Sequence, residues 1–346
     1  MVRFTITLLV LAAAGFPVAS LPQAESCNSA REMFRQHRWS EADTAFAECE
    51  NSDPGHTEAL LYRGKALINL RKFDEAATAL QDYAKRHPQS EDAAYLLAYI
   101  SFRQNQPRDS LQQFTDAAKL KPPTANDLKI VALDYVLLND YNDAAHYLEL
   151  SLQKDPDDVE AHYHLGRVRY QQNKFDLAII AFQEVISREP NNEKAQDNLG
   201  LSLEAENKNE QAIAAFQKAI ELDGASSLHS EQPYLNLGAL FSKLNRLTEA
   251  IPLLQRACEI APHDAKSHYE LGKAYFNSNG FDLARAQVQE AVRLNSNDSS
   301  YHYLLGRVYQ HLGEKHLADE QFRLTAETLH AKNSNSTGMA SGASSH

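Results

Sequence analysis

Residues 161–190 read AHYHLGRVRYQQNKFDLAIIAFQEVISREP and contain two amphipathic patterns separated by a turn. Leu165, Val168 and Gln172 share one face of a first helix. After the turn pair Asn173-Lys174, apolar residues recur at i, i+4, i+7 and i+8, which predicts a second amphipathic helix. These residues are Ala178, Phe182, Val185 and Ile186. Pro190 ends that helix because proline cannot continue the backbone ladder. The stretch therefore predicts a helix–turn–helix unit.

The same unit recurs along the chain with a period of 34 residues. Prolines mark the period at Pro54, Pro88, Pro122, Pro156 and Pro190. Small residues mark a second register at Gly64, Ala98, Ala132, Gly166, Gly200, Gly238, Gly272 and Gly306. This register contains one step of 38 residues, which places an insertion at 224–230. A fixed period of this length predicts tandem structural repeats.

The small residues have a steric explanation. Gly166 and Ala178 lack bulk, so the two antiparallel helices of a unit can approach closely there. One helix pair cannot bury its apolar faces alone, but stacked pairs share a continuous core. The pattern therefore predicts one elongated all-α domain at 23–331 rather than two globular domains.

The unit resembles the tetratricopeptide repeat, whose signature is a Leu-Gly pair, an aromatic residue, a small Ala, a second aromatic residue, an Ala and a closing Pro. The seventh unit matches it with Leu237-Gly238, Phe241, Ala250, Leu254, Ala257 and Pro262. The first unit keeps Trp39, Ala42, Phe46 and Pro54 but lacks the Leu-Gly pair. The resemblance implies an α-α superhelix, or solenoid, of about nine helix-turn-helix repeats. Its units start near residues 23, 57, 91, 125, 159, 193, 231, 265 and 299.

The two ends of the chain differ from the repeats. Arg3, the apolar run 4–14 and the small residues Val18-Ala19-Ser20 predict a signal peptide at 1–20 that directs export to the periplasm or the medium. An uncleaved anchor is the alternative, although the run is shorter than the ~20 residues that span a bilayer. Residues 333–346 read NSNSTGMASGASSH, and the lack of apolar periodicity predicts a disordered tail at 332–346.

Composition excludes some partners. The formal net charge is −12. Phosphate binding needs a clustered basic surface, so the chain is not expected to bind nucleic acid. The same charge favours solubility and disfavours anionic membrane surfaces. No integral membrane span is expected once the signal has been removed.

The repeat frame constrains two of the three cysteines. Cys27 lies near the start of the first helix and Cys49 near the end of the second, levels that antiparallel helices place side by side. A disulfide between them is one interpretation, since an exported chain meets an oxidising compartment. Two small buried thiols are the other. Cys258 has no evident partner and is expected in the core.

No catalytic or metal-binding constellation stands out, so the chain is not expected to be an enzyme or to need a cofactor. HExxH, GxSxG and phosphate-loop motifs are absent from the sequence, and the cysteines lack zinc spacing. His162, His268 and His302 recur at one repeat position where a bulky ring is expected to pack.

The resemblance implies a concave groove lined by the first helix of each unit. Carried over, its lining positions give the ligand candidates Lys65, Tyr95, Tyr99, Tyr163, Arg167, Tyr170, Tyr269, Lys273, Tyr303 and Arg307. A further lining position holds asparagine at Asn28, Asn198 and Asn236, and only the last two lie in adjacent repeats, so Asn198 and Asn236 complete the set of candidates. Such a basic, aromatic groove predicts an extended acidic or C-terminal peptide ligand. The alternative is that the tyrosines only fill space between first helices.

These observations predict an exported, non-catalytic scaffold that binds a peptide or protein segment in its groove. A helper in envelope assembly or polysaccharide export, bridging membrane components, is the alternative and depends on analogy alone. The last helix carries Leu317, Leu324 and Leu329 on its outer face. A terminal repeat normally ends in a polar face, so these leucines predict a contact with a second copy or with a partner.

Overall fold

The computed structural model describes residues 23–52, 55–224 and 229–342. These residues form eighteen α-helices and no strand, so the predicted all-α class is confirmed. The chain divides into two compact units, each containing several repeats, and from here on 'first unit' and 'second unit' refer to these two. The first unit ends at Asn139 and the second begins at Asp140. The predicted signal peptide at 1–20 lies outside the described residues.

The helices follow the predicted repeat. The first unit contains α1 (Gln23–Arg35), α2 (Trp39–Ser52), α3 (Glu58–Asn69), α4 (Phe73–Arg86), α5 (Glu91–Arg103), α6 (Pro107–Leu120) and α7 (Ala125–Leu137). The second contains α8 (Tyr141–Lys154), α9 (Val159–Gln171), α10 (Phe175–Arg188), α11 (Glu193–Ala205), α12 (Asn209–Gly224), α13 (Gln232–Lys243), α14 (Leu247–Ile260), α15 (Ala265–Asn277), α16 (Phe281–Leu294), α17 (Ser299–His311) and α18 (Lys315–Gly342). Odd-numbered helices begin within about one residue of the predicted unit starts.

The C-terminal end differs from the expectation of a disordered tail at 332–346. Helix α18 continues to Gly342. Residues 343–346 lie outside the described part of the chain.

One residue in each turn between the first and second helix of a repeat adopts the left-handed conformation. These residues are His37, Arg71, Asn105, Asn139, Asn173, Asn207, Asn245, Asn279 and Gly313, with φ between 57° and 77°. In the turn after α9, the backbone N–H groups of Asn173 and Lys174 donate to the carbonyls of Tyr170 and Arg169, both at 2.9 Å. Because asparagine tolerates this conformation better than other non-glycine residues, it marks six of the nine turns.

The glycines of the first helices allow the close approach predicted from the sequence. A Cβ atom added to Gly166 would lie 2.7 Å from Cε1 of Phe182. A Cβ atom added to Gly200 would lie 2.5 Å from Cε1 of Phe216. Real Cβ contacts are never this short, so a side chain is excluded where the second helix places its large apolar residue.

That large residue forms the centre of each repeat's core. In the first unit, Phe46 and Leu80 are fully buried between their hairpin and the next helix. In the second unit, the equivalent fully buried side chains are Leu148, Phe182, Phe216, Leu254 and Val288. Each hairpin therefore shares its core with its neighbour within the unit, as tandem repeats do.

The insertion between α12 and α13 is held by a buried carboxylate. Asp223 is 2% exposed and accepts a hydrogen bond from the backbone N–H of Ser230 at 2.7 Å. The Nδ1 atom of His229 lies 3.2 Å from its other oxygen. Residues 225–228 of the insertion lie outside the described residues.

A disulfide joins α1 and α2. Cys27 and Cys49 are bonded, with their Cα atoms 5.2 Å apart. The third cysteine, Cys258, is half-buried, and burial raises the pKa of its thiol to about 12. Among the described residues, the helices are each too short or too polar to cross a bilayer.

Candidate binding face on the first helices

The odd-numbered helices form a face in each unit. In the first unit, α1 contacts α3, α3 contacts α5, and α5 contacts α7. In the second unit, contacts link α9, α11, α13, α15 and α17 in the same order. Equivalent side chains of successive repeats therefore form rows across what we call the first-helix face of each unit. The first helices carry every residue that the sequence proposed as a ligand contact.

In the first unit, Lys65 and Tyr95 are engaged with neighbouring repeats. The Lys65 Nζ atom lies 2.7 Å from a carboxylate oxygen of Asp92 and 5.6 Å from the ring centre of Tyr62. Tyr95 donates its hydroxyl to the backbone carbonyl of Lys121 at 2.6 Å. Lys65 and Tyr95 both line a pocket of about 250 Å³. These contacts position the side chains but leave part of each accessible.

Tyr99 belongs to a small cationic and aromatic cluster in the same unit. Arg103 donates to the Tyr99 hydroxyl at 2.5 Å. The Arg103 guanidinium also lies 5.0 Å from the ring centre of Phe73 on α4. Cation–π contacts of this kind hold an arginine in one orientation.

Three candidates lie together on α9 in the second unit. Tyr163 packs edge-on against the core residue Phe182, and its hydroxyl accepts a 3.4 Å contact from the Asn198 amide. Burial raises the pKa of Tyr163, while the nearby Arg167 partly offsets the rise. Tyr170 packs edge-on against Phe175, with ring centres 5.3 Å apart. Arg167 is exposed and forms no ion pair with the residues that the structure describes.

The two asparagine candidates differ in accessibility. Asn198 is half-buried and donates to the backbone carbonyl of Lys194 at 2.7 Å. Asn236 is 7% exposed, and its amide donates to both carboxylate oxygens of Asp197 at 3.0 Å. Burial raises the pKa of Asp197 to about 6. Asn236 is therefore a buried partner of Asp197, whereas the sequence predicted that it contacts a ligand.

Sequence reasoning missed Asp197. It occupies the repeat position that holds Tyr95, Tyr163, Tyr269 and Tyr303 in other repeats. A carboxylate among tyrosines at one position was the available signal. The pairing itself could not be anticipated, because it depends on which side chain α13 brings opposite Asp197.

The remaining four candidates lie on α15 and α17. Tyr269 stacks on Tyr301 with ring centres 4.8 Å apart, and Lys273 pairs with Glu270 at 3.0 Å. Tyr303 is 51% exposed. The Arg307 guanidinium is exposed to solvent and lies 4.6 Å from the ring centre of Phe276. Tyr303 therefore lies one turn before Arg307 on α17, and both side chains are accessible to solvent.

The recurring histidines anchor loops. The Nε2 atoms of His162, His268 and His302 donate to the carbonyls of Pro156, Pro262 and Ser296, at 2.9, 3.1 and 3.0 Å. The Nδ1 atoms of His268 and His302 lie 2.8 Å from the side-chain amides of Gln287 and Gln321. Each ring therefore connects its first helix to the preceding loop, and the last two also bridge to the second helix.

One group of potential metal ligands occurs among the described residues. The sulfur atoms of Cys27 and Cys49 and a ring nitrogen of His56 lie within 4.8 Å of one another. Because the two sulfurs are joined in a disulfide, they offer no thiolate to a metal ion.

The hairpins and their shared face define a helical-repeat scaffold. Three family models described as tetratricopeptide repeat match the chain, at residues 63–125 and 132–193, 192–263, and 241–308. The chain belongs to the tetratricopeptide repeat family, which confirms the resemblance seen in the sequence. Proteins of this family are generally non-catalytic scaffolds for protein–protein interaction. No curated protein matches the chain in sequence.

Solved structures share the fold at low sequence identity. The C-terminal part of a TPR repeat-containing protein from Cytophaga hutchinsonii has a TM-score of 0.59 and 17% identity, covering 71% of this chain and 99% of that one. The structure of the APC/C hetero-tetramer Cut9–Hcn1 has a TM-score of 0.56 at 17% sequence identity, and the match covers 82% of this chain and 55% of that one. PilW, a type IV pilus biogenesis factor, gives 0.53 and 20%, covering 57% and 90%.

Proposed function

We propose that the chain is an exported scaffold that holds a peptide or protein segment along its first-helix face. The observation that carries this proposal is the set of exposed side chains in two neighbouring rows of that face. Arg167, Tyr303 and Arg307 are exposed, while packed aromatic neighbours fix where their helices present them.

The chemistry of these exposed side chains favours an acidic peptide segment. Tyrosine supplies a large rigid contact surface at low entropic cost, and arginine pairs with a carboxylate through two parallel hydrogen bonds. Packed helices lie about 8–10 Å apart. An extended segment of three residues spans about 10 Å, so successive repeats would contact about every third residue of such a ligand.

Export is supported by the N-terminal sequence and by the disulfide. The basic and apolar composition of residues 1–20 is typical of a signal peptide. A disulfide in the first hairpin suits an oxidising compartment. N-terminal sequencing of the native protein is expected to give Leu21. A mature chain that begins at Met1 would contradict cleavage.

The face is tested by charge reversal. We expect Arg167→Glu, Lys273→Glu and Arg307→Glu together to abolish capture of the partner from the exported protein fraction. A matched triple variant on second helices, Lys85→Glu, Lys119→Glu and Lys218→Glu, reverses three cations that each pair with an acid three residues away. It is expected to capture the partner normally. Equal capture by both triple variants would reject this face.

A further inference from the structure

Three side chains that can bind a metal ion converge at one end of the first hairpin. Cys27 lies near the start of α1, Cys49 lies near the end of α2, and His56 lies in the loop that precedes α3. The two sulfur atoms and a ring nitrogen of His56 lie within 4.8 Å of one another. The disulfide needs the two cysteines alone, so it does not explain why a histidine lies against them.

Local contacts hold His56 beside the sulfur atoms. Its backbone carbonyl accepts a hydrogen bond from the N–H of Ala59 at 3.0 Å, in the first turn of α3. The Arg31 guanidinium lies 3.4 Å from the Nε2 atom of His56 and 2.5 Å from a carboxylate oxygen of Glu58. Glu58 is the closer partner, and Arg31 keeps it when the ring nitrogen binds another group. The backbone therefore fixes the position of His56 while its ring can serve as a ligand.

Reduction of the disulfide turns this cluster into a set of three ligands. A dithiol supplies two electrons and two protons, the S–S bond breaks to give two thiols, and the dithiol becomes a disulfide itself. Zinc bonds are about 2.3 Å to sulfur and about 2.0–2.1 Å to nitrogen, so the ligand atoms of a tetrahedral site lie about 3.5–3.8 Å apart. The sulfurs must separate from about 2.0 Å, which rotation of the two cysteine side chains achieves.

The ligand types and their burial select zinc. Thiolate and imidazole ligands suit zinc, whereas calcium and magnesium require oxygen ligands. Two thiolates carry two negative charges, so a divalent cation makes the site neutral. Neutrality matters here because Cys49 is fully buried and Cys27 is 5% exposed, and an uncompensated charge is costly in such a place. Binding of the ion releases the two thiol protons to solvent.

We propose that the reduced first hairpin binds one zinc ion through Cys27, Cys49 and His56. A water molecule completes the tetrahedral coordination, on the half-exposed side where His56 lies. The disulfide and the zinc ion are alternative links between α1 and α2, because the same sulfur atoms cannot form both. The zinc ion additionally ties the loop before α3 to this hairpin. The site is independent of the first-helix face and of any peptide partner.

Zinc binding is measured on the mature chain, residues 21–346, in two redox states. Production in a reducing cytoplasm and purification without oxygen give the reduced form, which a count of three thiols confirms. Air oxidation gives the disulfide form, in which Cys258 is the one remaining thiol. Zinc is titrated against a chromophoric chelator at pH 7. We expect one tightly bound zinc ion per reduced chain and none per oxidised chain.

Variants identify the ligands. Reduced His56→Ala retains both thiols but lacks the nitrogen ligand, so its zinc affinity should fall about tenfold or more. Cys27→Ser with Cys49→Ser should abolish tight binding. Cys258→Ser removes a thiol elsewhere, and His37→Asn removes an exposed histidine at the opposite end of the same hairpin. Both of these controls should bind zinc as the reduced wild type does.

The melting temperature separates a ligand from a residue that merely supports the fold. Saturating zinc should raise the melting temperature of the reduced wild type by several degrees and leave that of reduced His56→Ala almost unchanged. Equal zinc affinity of the reduced wild type and reduced His56→Ala would overturn the site. Tight binding by the double serine variant, or loss of binding in Cys258→Ser, would overturn it as well, because the ion would then lie elsewhere.

Discussion

At the residue scale, a single steric contact explains why glycine occupies the position where the two helices of a hairpin cross. Gly200→Ala would place a Cβ atom 2.5 Å from the buried ring of Phe216. We expect a loss of about 1–3 kcal/mol in the free energy of unfolding, since overpacking outweighs the helix preference of alanine. Gly224→Ala is the matched control, because no other group of the described residues lies within 4 Å of its added Cβ. Chemical denaturation of both variants measures the difference. Equal stability would contradict the steric explanation.

A second prediction concerns the buried carboxyl of Asp134. Ser110 Oγ lies 2.5 Å from Asp134 Oδ2 and 3.1 Å from the carbonyl of Ala98. The hydroxyl has one proton, so it can donate to Ala98 while protonated Asp134 donates to it. Asp134 is fully buried, its other oxygen has no hydrogen-bond partner in the described residues, and burial raises its pKa to about 7. Asp134 is therefore largely neutral in mildly acidic solution.

The sign of the pH effect follows from linkage. Asp134 binds its proton more tightly when folded, so the stability present below about pH 4 is lost as pH rises through about 7. Asp134→Asn does not ionise, so it lacks this loss. Its free energy of unfolding should exceed that of the wild type by about 2–4 kcal/mol at pH 8, with little difference at pH 3. Urea unfolding across pH measures it. Exposed Asp116→Asn should not gain stability at pH 8, since Lys119 lowers the pKa of Asp116.

At the element scale, the turns between helices give a third prediction. Arg71 adopts φ 60° where most equivalent turns have asparagine or glycine. Arg71→Gly is expected to raise the free energy of unfolding by about 1 kcal/mol, because glycine adopts this conformation without steric cost. Gly313→Ala at the last turn, with φ 77°, should lower it by a similar amount. Changes of opposite sign in the melting temperatures of the two variants would support the turn geometry, and changes of the same sign would contradict it.

The disulfide gives a fourth prediction for the first hairpin. Cys27→Ser with Cys49→Ser removes a bond that closes a loop of 22 residues. In chain-entropy terms such a loop contributes about 3 kcal/mol. Amide exchange should therefore accelerate in α1 and α2, while α15 and α16 keep the protection seen in the wild type. Unchanged exchange in the first hairpin would show that the disulfide adds no stability.

Sequence reasoning predicted the repeating elements but not every side-chain partner. The period of 34 residues and the small residues at Gly166 and Gly200 were sufficient for the hairpins, since they depend on local spacing. The Asp197–Asn236 and Ser110–Asp134 pairs join residues on different helices. Such pairs depend on the rotation of one helix against another, which periodicity does not specify.

At the scale of the whole molecule, the acidic chain is expected to present a locally basic binding face. The formal net charge of −12 repels an acidic ligand at long range, while exposed Arg167 and Arg307 attract it at the face. Self-association through α18 stays a prediction. Leu317 and Leu329 are exposed there, and Leu324 is half-buried. Light scattering of Leu317→Glu with Leu329→Glu tests it. A wild-type monomer would exclude a dimer contact.

Partners are proposed to bind the first helices and not the second helices. The most direct measurement places a photo-crosslinking benzoylphenylalanine at Tyr303 on α17 or at Leu283 on α16, which are similarly exposed at 51% and 55%. After irradiation in the native host, the first position is expected to give a discrete crosslinked partner and the second to give none. Crosslinking from Leu283 with none from Tyr303 would contradict the account.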